Sequence, residues 1–236
     1  KIIQAPFISQ LGRYPTGCES VSSVMALNYA GIDISVDTFI DKYLDKRPWP
    51  FDPNISFGGN PRLNSGWGCY TPVIKKAMDK ILEGKNHSAK VVNGMSIPDL
   101  CSTYIDNDIP VIFWGTIDMA PPHPGKTWTY NGKSITWIAP LHCLLLVGYD
   151  DNHYIFNDPL KTNAPTYYSK EAVELAYNGI SKQAMVLVKD ELMDFELLQF
   201  YGEIIKSFNI PIINTLAWGK PIVYETPNMK VTYQAK

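Results

Sequence analysis

Two short segments, far apart in the chain, must be satisfied by any fold it adopts. Tyr14-Pro15-Thr16-Gly17-Cys18-Glu19-Ser20 reads as the start of a helix, and residues 141–158 read as a hairpin. Thr16 and Glu19 have the spacing of a capping box, with Thr16 as N-cap and Glu19 three residues on. Val21, Val24, Met25, Ala26 and Leu27 then give an apolar helical face, and Gly31 is a natural stop. Residues 144–149 read as a buried strand, Asp150-Asp151-Asn152 as a turn and residues 153–157 as the returning strand. His142 opens the first strand and Asp158 closes the second, so an antiparallel hairpin brings the two side by side.

These residue types belong to one chemistry. A thiol nucleophile needs a base to take its proton, and the base needs a partner that holds its ring and tautomer. Cys18 falls in the first helical turn, where free N–H groups and the dipole favour a thiolate and can face an oxyanion. Glu19 works modestly against the thiolate, but its place in the capping box turns it back toward the backbone. A cysteine on an apolar helix is, taken alone, more often an inert core residue. The His–Asp pair at the ends of one hairpin changes that weighting.

With those residues in view, the chain resembles the C39-like (bacteriocin-processing-peptidase-like) branch of papain-fold cysteine peptidases. The matching segments are Ala5-Pro6-Phe7-Ile8-Ser9-Gln10, residues 14–20, Pro140-Leu141-His142, Val147-Gly148-Tyr149-Asp150 and Asn157-Asp158-Pro159. The resemblance covers residues 1–189. It implies Cys18 as nucleophile, His142 as base and Asp158 as orienting residue. It also implies Gln10 as the side-chain donor of an oxyanion hole, beside the backbone N–H of Cys18. Gln10 precedes Cys18 by a longer interval than in papain itself, so residues 11–14 must fold back. The implied fold is α+β and papain-like, with the nucleophile helix packed on an antiparallel sheet that carries His and Asp. The implied activity is cleavage of a peptide or amide bond through a thioester. Two alternatives stay open: acyl transfer of the transglutaminase type by the same three residues, and a non-catalytic surface binding module.

Residues 47–70 are rich in Pro, Gly and Asn and carry Trp49, Phe51, Phe57 and Trp67. A loop of this length is usually functional, and Trp67 is taken as a candidate wall of a substrate cleft. Asn131-Gly132 marks a hairpin turn whose second arm carries Trp137 and runs into His142, so Trp137 is a second candidate substrate contact. Helices are expected from Ser35 toward Leu44, from Thr71-Pro72 to about Glu83, over 96–107 and over 169–178. Further strands are expected over 110–114 and 183–188. His87 is placed in a polar loop and His123 in a stiff Pro-flanked one. Residues 190–236 form an extension outside the resemblance, with a helix expected over 191–208.

A dispersed net charge of −2 gives no nucleic-acid footprint, and no apolar run approaches a membrane span. No histidine has metal-ligand spacing and no cofactor motif occurs, so neither metal nor cofactor is expected. The expected partner is a peptide or protein substrate. The chain begins at Lys1, without Met, which is taken as the mark of a processed or trimmed protein, a removed signal peptide being one such route. With the export signals of many relatives in this branch, this gives an expectation of a secreted or surface protein of a bacterium.

Overall fold

A computed structural model describes residues 1–190 and the strand pair at 222–226 and 229–233. The first helix, α1 (Cys18–Tyr29), buries Val21, Val24, Met25 and Leu27 completely. Burial of each such side chain contributes about 1.5–3 kcal/mol. The helix ends at Ala30, and Gly31 follows with φ of +80°.

The capping box does not form. The N-cap is Gly17, without a side-chain cap, and Thr16 Oγ1 instead lies 3.1 Å from the carbonyl of Leu63. Glu19 is wholly buried and faces Cys69. The first turn of α1 is covered by residues 60–69, so both side chains find distant backbone partners in place of local ones.

A short helix α2 (Val36–Thr38), capped by the Ser35 hydroxyl, continues as a π-helical turn over Phe39–Tyr43. Strands β1 (Lys46–Arg47) and β2 (Phe57–Gly58) pair in parallel and pin the two ends of the aromatic loop. Helix α3 (Thr71–Leu82) has Pro72 in its first turn, and β3 (His87–Val91) follows. Helix α4 (Ile97–Thr103) is capped by Ser96 and runs on to a 3₁₀ turn at Ile105–Asn107. Then come β4 (Val111–Thr116), β5 (His123–Tyr130), β6 (Lys133–Ala139), β7 (Leu141–Tyr149), β8 (His153–Asn157) and β9 (Thr166–Ser169). Helix α5 (Lys170–Gly179), capped by Ser169, and β10 (Ala184–Lys189) complete the first compact unit, Lys1–Lys189. In the second unit, Asp190–Lys236, β11 (Ile222–Thr226) and β12 (Met229–Tyr233) form an antiparallel pair. The helix expected over 191–208 lies outside the described residues.

The central sheet has the order β3-β10-β4-β7-β8-β9 and is antiparallel throughout. All six residues of β4 are buried because both of its faces are covered. Phe113 stacks on Tyr177 of α5 at 4.5 Å, whereas the next residue, Trp114, donates its Nε1–H to the Cys69 carbonyl at 2.9 Å. Neighbouring strand residues point to opposite faces, so α5 and the Cys69 segment lie on opposite sides of the sheet. Helix α1 packs on β7, where the Ser22 hydroxyl donates to the Cys143 carbonyl at 3.1 Å. His87 and His123 do not lie in loops: they open β3 and β5. Both strands are polar and mostly exposed, and β3 is a sheet edge, so neither carries a buried-strand pattern.

Candidate active site

The hairpin β7–β8 carries His142 and Asp158. Its ladder ends at Leu145 opposite Asn157, after a register shift between Leu146 and Gly148. One step further, Asp158 comes level with Leu144, so His142 is its diagonal neighbour on the same face. The His142 Nε2 and Asp158 Oδ1 atoms are 2.7 Å apart, and both residues are 1% exposed. Oδ1 also accepts the Leu160 N–H at 2.9 Å, and Oδ2 accepts the Tyr168 hydroxyl at 2.6 Å. Burial pushes the Asp158 carboxyl up, but the His142 bond and charge and the Tyr168 and Leu160 donors outweigh it and hold it below the usual range. With Nε2 engaged by the carboxylate, Nδ1 is the ring nitrogen left to take a proton.

Cys18 is largely buried at the start of α1. Its thiol donates to Glu19 Oε2 at 3.4 Å, while Glu19 Oε1 accepts the Cys69 N–H at 2.8 Å. Burial pushes the Cys18 thiol well up, and the Glu19 carboxyl and the Cys143 thiol add to it; a backbone hydrogen bond at Cys143 pulls the other way. The helix start was expected to favour a thiolate. Burial and the acidic neighbour push the other way. Glu19 itself is pushed up to about 7 by burial, against the pull of the Cys69 and Glu19 N–H groups and the Cys18 thiol.

Gln10 is also buried, and the loop after it does fold back: the N–H groups of Arg13 and Tyr14 return to the Gln10 carbonyl. Its Nε2 group donates to the carbonyls of Tyr14 and Pro15, both at 3.1 Å, and its Oε1 is without a partner in the structure. The Gln10 N–H donates to the Pro159 carbonyl at 2.8 Å, joining the Gln10 loop to the Asp158 segment.

The two candidate substrate tryptophans meet at 5.7 Å, edge to face. Trp137 is 7% exposed and Trp67 half-buried. They belong to a cluster with Phe51 and Trp128, which Trp49 extends to the surface. The Lys126 Nζ sits 4.2 Å from the Trp49 ring centroid. At its inner end the cluster comes close to Glu19. A methyl group placed on Gly68 would lie 2.5 Å from Glu19 Oε1 and 3.2 Å from the Trp137 ring, and the Gly68 φ of +141° suits glycine.

Sequence reasoning missed Tyr168 and gave Glu19 only a modest effect against the thiolate. Glu19 stands directly after the cysteine, but its capping-box spacing gave it a local task that it does not have. Tyr168 is in an edge strand with little sequence signal.

A sheet carrying a buried His–Asp pair, packed against a helix that begins with a cysteine, defines the papain-like class. Residues 2–185 match the model of the Peptidase_C39 like family, and the chain belongs to that family. It is 27% identical over 187 residues to the uncharacterized protein YvpB of Bacillus subtilis, covering 75% of this chain and 71% of that protein. Among solved structures, a candidate C39-like peptidase from Bacillus anthracis superposes with a TM-score of 0.73 at 30% identity, over 81% of this chain and 98% of that one. Among the described residues, no helix is long and apolar enough to cross a membrane.

Proposed function

We propose that the protein is a cysteine peptidase that cleaves a peptide or amide bond through Cys18, His142 and Asp158. The observation that carries this reading is the buried 2.7 Å bond between His142 and Asp158, on a hairpin packed against the helix that Cys18 begins. Family membership supports it at the level of peptidase chemistry.

In the proposed cycle Cys18 passes its proton to Nδ1 of His142, and the thiolate attacks the carbonyl carbon. The imidazolium then gives that proton to the leaving amine, and a thioester remains. Water, deprotonated by His142, releases the acid and restores the thiol. Asp158 holds the ring through Nε2 and stabilises its charged form. The Cys18 N–H is the proposed backbone donor to the oxyanion. Gln10 is assigned the side-chain donation, which requires one of its Nε2 hydrogens to leave the Tyr14 or Pro15 carbonyl when substrate binds. Trp67 and Trp137 are assigned to the wall that substrate meets. We place the enzyme in the secreted or surface compartment of a bacterium, under conditions reducing enough to keep the thiol free.

The test is digestion of a peptide library, with new amino-termini identified by mass spectrometry, for the wild type, Cys18→Ala and His142→Ala. New termini from the wild type alone support the reading. Identical spectra from all three proteins overturn it. Products that incorporate an added amine, in place of new acid ends, assign the same residues to acyl transfer.

A further inference from the structure

The proposed cycle gives Glu19 no task, yet Glu19 is the group bound to the nucleophile. Its side chain is wholly buried, with Oε2 on the Cys18 thiol and Oε1 on the Cys69 N–H. Titratable groups approach it from three elements: Cys18 on its own helix, Cys69 and Tyr70 on the covering segment, and Cys143 on β7. All four are acids, so each is neutral when protonated and none supplies a countercharge. The fold keeps room for the carboxyl, since a Cβ at Gly68 would lie 2.5 Å from Oε1. A structural tie between α1 and residues 60–69 needs only a hydrogen-bond acceptor at Oε1. A carboxyl placed with its second oxygen on the reactive sulfur is a further feature that such a tie does not require.

We propose that Glu19 is a positioning residue whose protonation gates the nucleophile: as a carboxylate it keeps the proton on Cys18, and as a carboxylic acid it supports the thiolate. This rests on the assignment of Cys18 as nucleophile and His142 as base. With Glu19 ionised, the thiol donates to Oε2, and a thiolate would meet a second negative charge at that distance. Oε1 is already held by the Cys69 N–H, so Oε2 is the oxygen that carries the proton. Protonated there, Glu19 becomes a donor to sulfur. The Cys18 proton can then pass to Nδ1 of His142, leaving thiolate and imidazolium with no net proton gained or lost. The burial-raised titration of Glu19, at about 7, puts this exchange near neutral pH.

The test is the rate of Cys18 alkylation by iodoacetamide, read at that residue by mass spectrometry from about pH 5 to about pH 9, for wild type, Glu19→Gln and His142→Ala. Near the acid end, wild type and Glu19→Gln react at the same rate, because both present a neutral side chain. Above the Glu19 titration, Glu19→Gln outpaces wild type by about tenfold, the effect of a shift of about one unit in the thiol. A ratio that stays constant across the range overturns the proposal and leaves Glu19 a structural tie. Loss of reactivity in His142→Ala supports the base assignment. If His142→Ala reacts like wild type, the enzyme reading fails while the Glu19 comparison is still readable. A second measurement needs no substitution at Glu19. Carbon-13 NMR of its carboxyl in the unmodified protein should titrate near neutrality and move when Cys18 is alkylated, and titration in the ordinary glutamate range overturns the proposal.

Discussion

His142 is oriented by a carboxylate that is itself fixed by three donors. Asp158 receives His142 and the Leu160 N–H on one oxygen and the Tyr168 hydroxyl on the other. Removing the proposed base and removing its support should therefore differ in degree. His142→Ala is expected to lower kcat/KM by about a thousandfold, within the range for a general base. Asp158→Ala keeps the imidazole and should cost less, through a misplaced ring and a lost preference for the Nε2–H tautomer. Tyr168→Phe leaves Asp158 both Oδ1 contacts and should cost least, about tenfold or under. Steady-state kinetics on the first substrate found will order the three. An Asp158→Ala defect as severe as that of His142→Ala would mean that the carboxylate does more than orient. Cys18→Ala should remove turnover and leave the melting temperature near that of wild type, since it deletes one small buried atom whose thiol bond is weak.

At the scale of elements, the β5–β6 hairpin and residues 49–67 build a second apolar cluster separate from the main core. The hairpin was legible because Asn131-Gly132 is a type I′ turn signal, and both residues do take positive φ, +47° and +77°. Helix α1 was legible from its apolar periodicity and α3 from its Pro-initiated start, and α4 and α5 fall within the expected segments 96–107 and 169–178 save for Gly179 at the end of α5. The edge strands β3 and β9 were not, because an edge strand buries little and can be polar without cost. Phe51 is the buried centre of the second cluster, within 5.2–6.4 Å of Trp67, Trp128 and Trp137, and its carbonyl accepts the Trp128 Nε1–H at 2.6 Å. Phe51→Ala should destabilise the unit by about 3–5 kcal/mol, the range for a buried aromatic reduced to alanine. Chemical denaturation will measure it. A loss under about 1 kcal/mol would mean that the cluster is a surface ornament the fold can do without.

For the molecule as a whole, local sequence logic succeeded where a side chain answers to its own element and failed where it answers to a distant one. Ser35, Ser96 and Ser169 cap their own helices as their positions suggest. Thr16 and Glu19, with the same local credentials, are claimed by residues 60–69 across the site. That one misassignment concealed the most strongly perturbed carboxyl in the described residues and, with it, a global property. Glu19 is raised from 4.5 to about 7. The folded state therefore binds more protons than the unfolded chain between those values, so its contribution to stability is complete below about 4.5 and is lost as pH rises through about 7. Asp158 has the opposite sign. Its carboxyl is lowered from 3.8, so its contribution is present above that value and is lost as pH falls through its folded titration. The two windows leave a mildly acidic optimum. Thermal melts of wild type should be highest near pH 5 and fall toward pH 8. In Glu19→Gln the fall between about pH 5 and pH 8 should flatten, because the group that drives it no longer ionises, while the acid limb, to which Asp158 contributes with the lowered carboxyls of Asp37, Asp45 and Asp150, is unchanged. If Glu19→Gln instead follows wild type through neutrality, the carboxyl is not the source of that slope, and other groups in the protein set its response to pH.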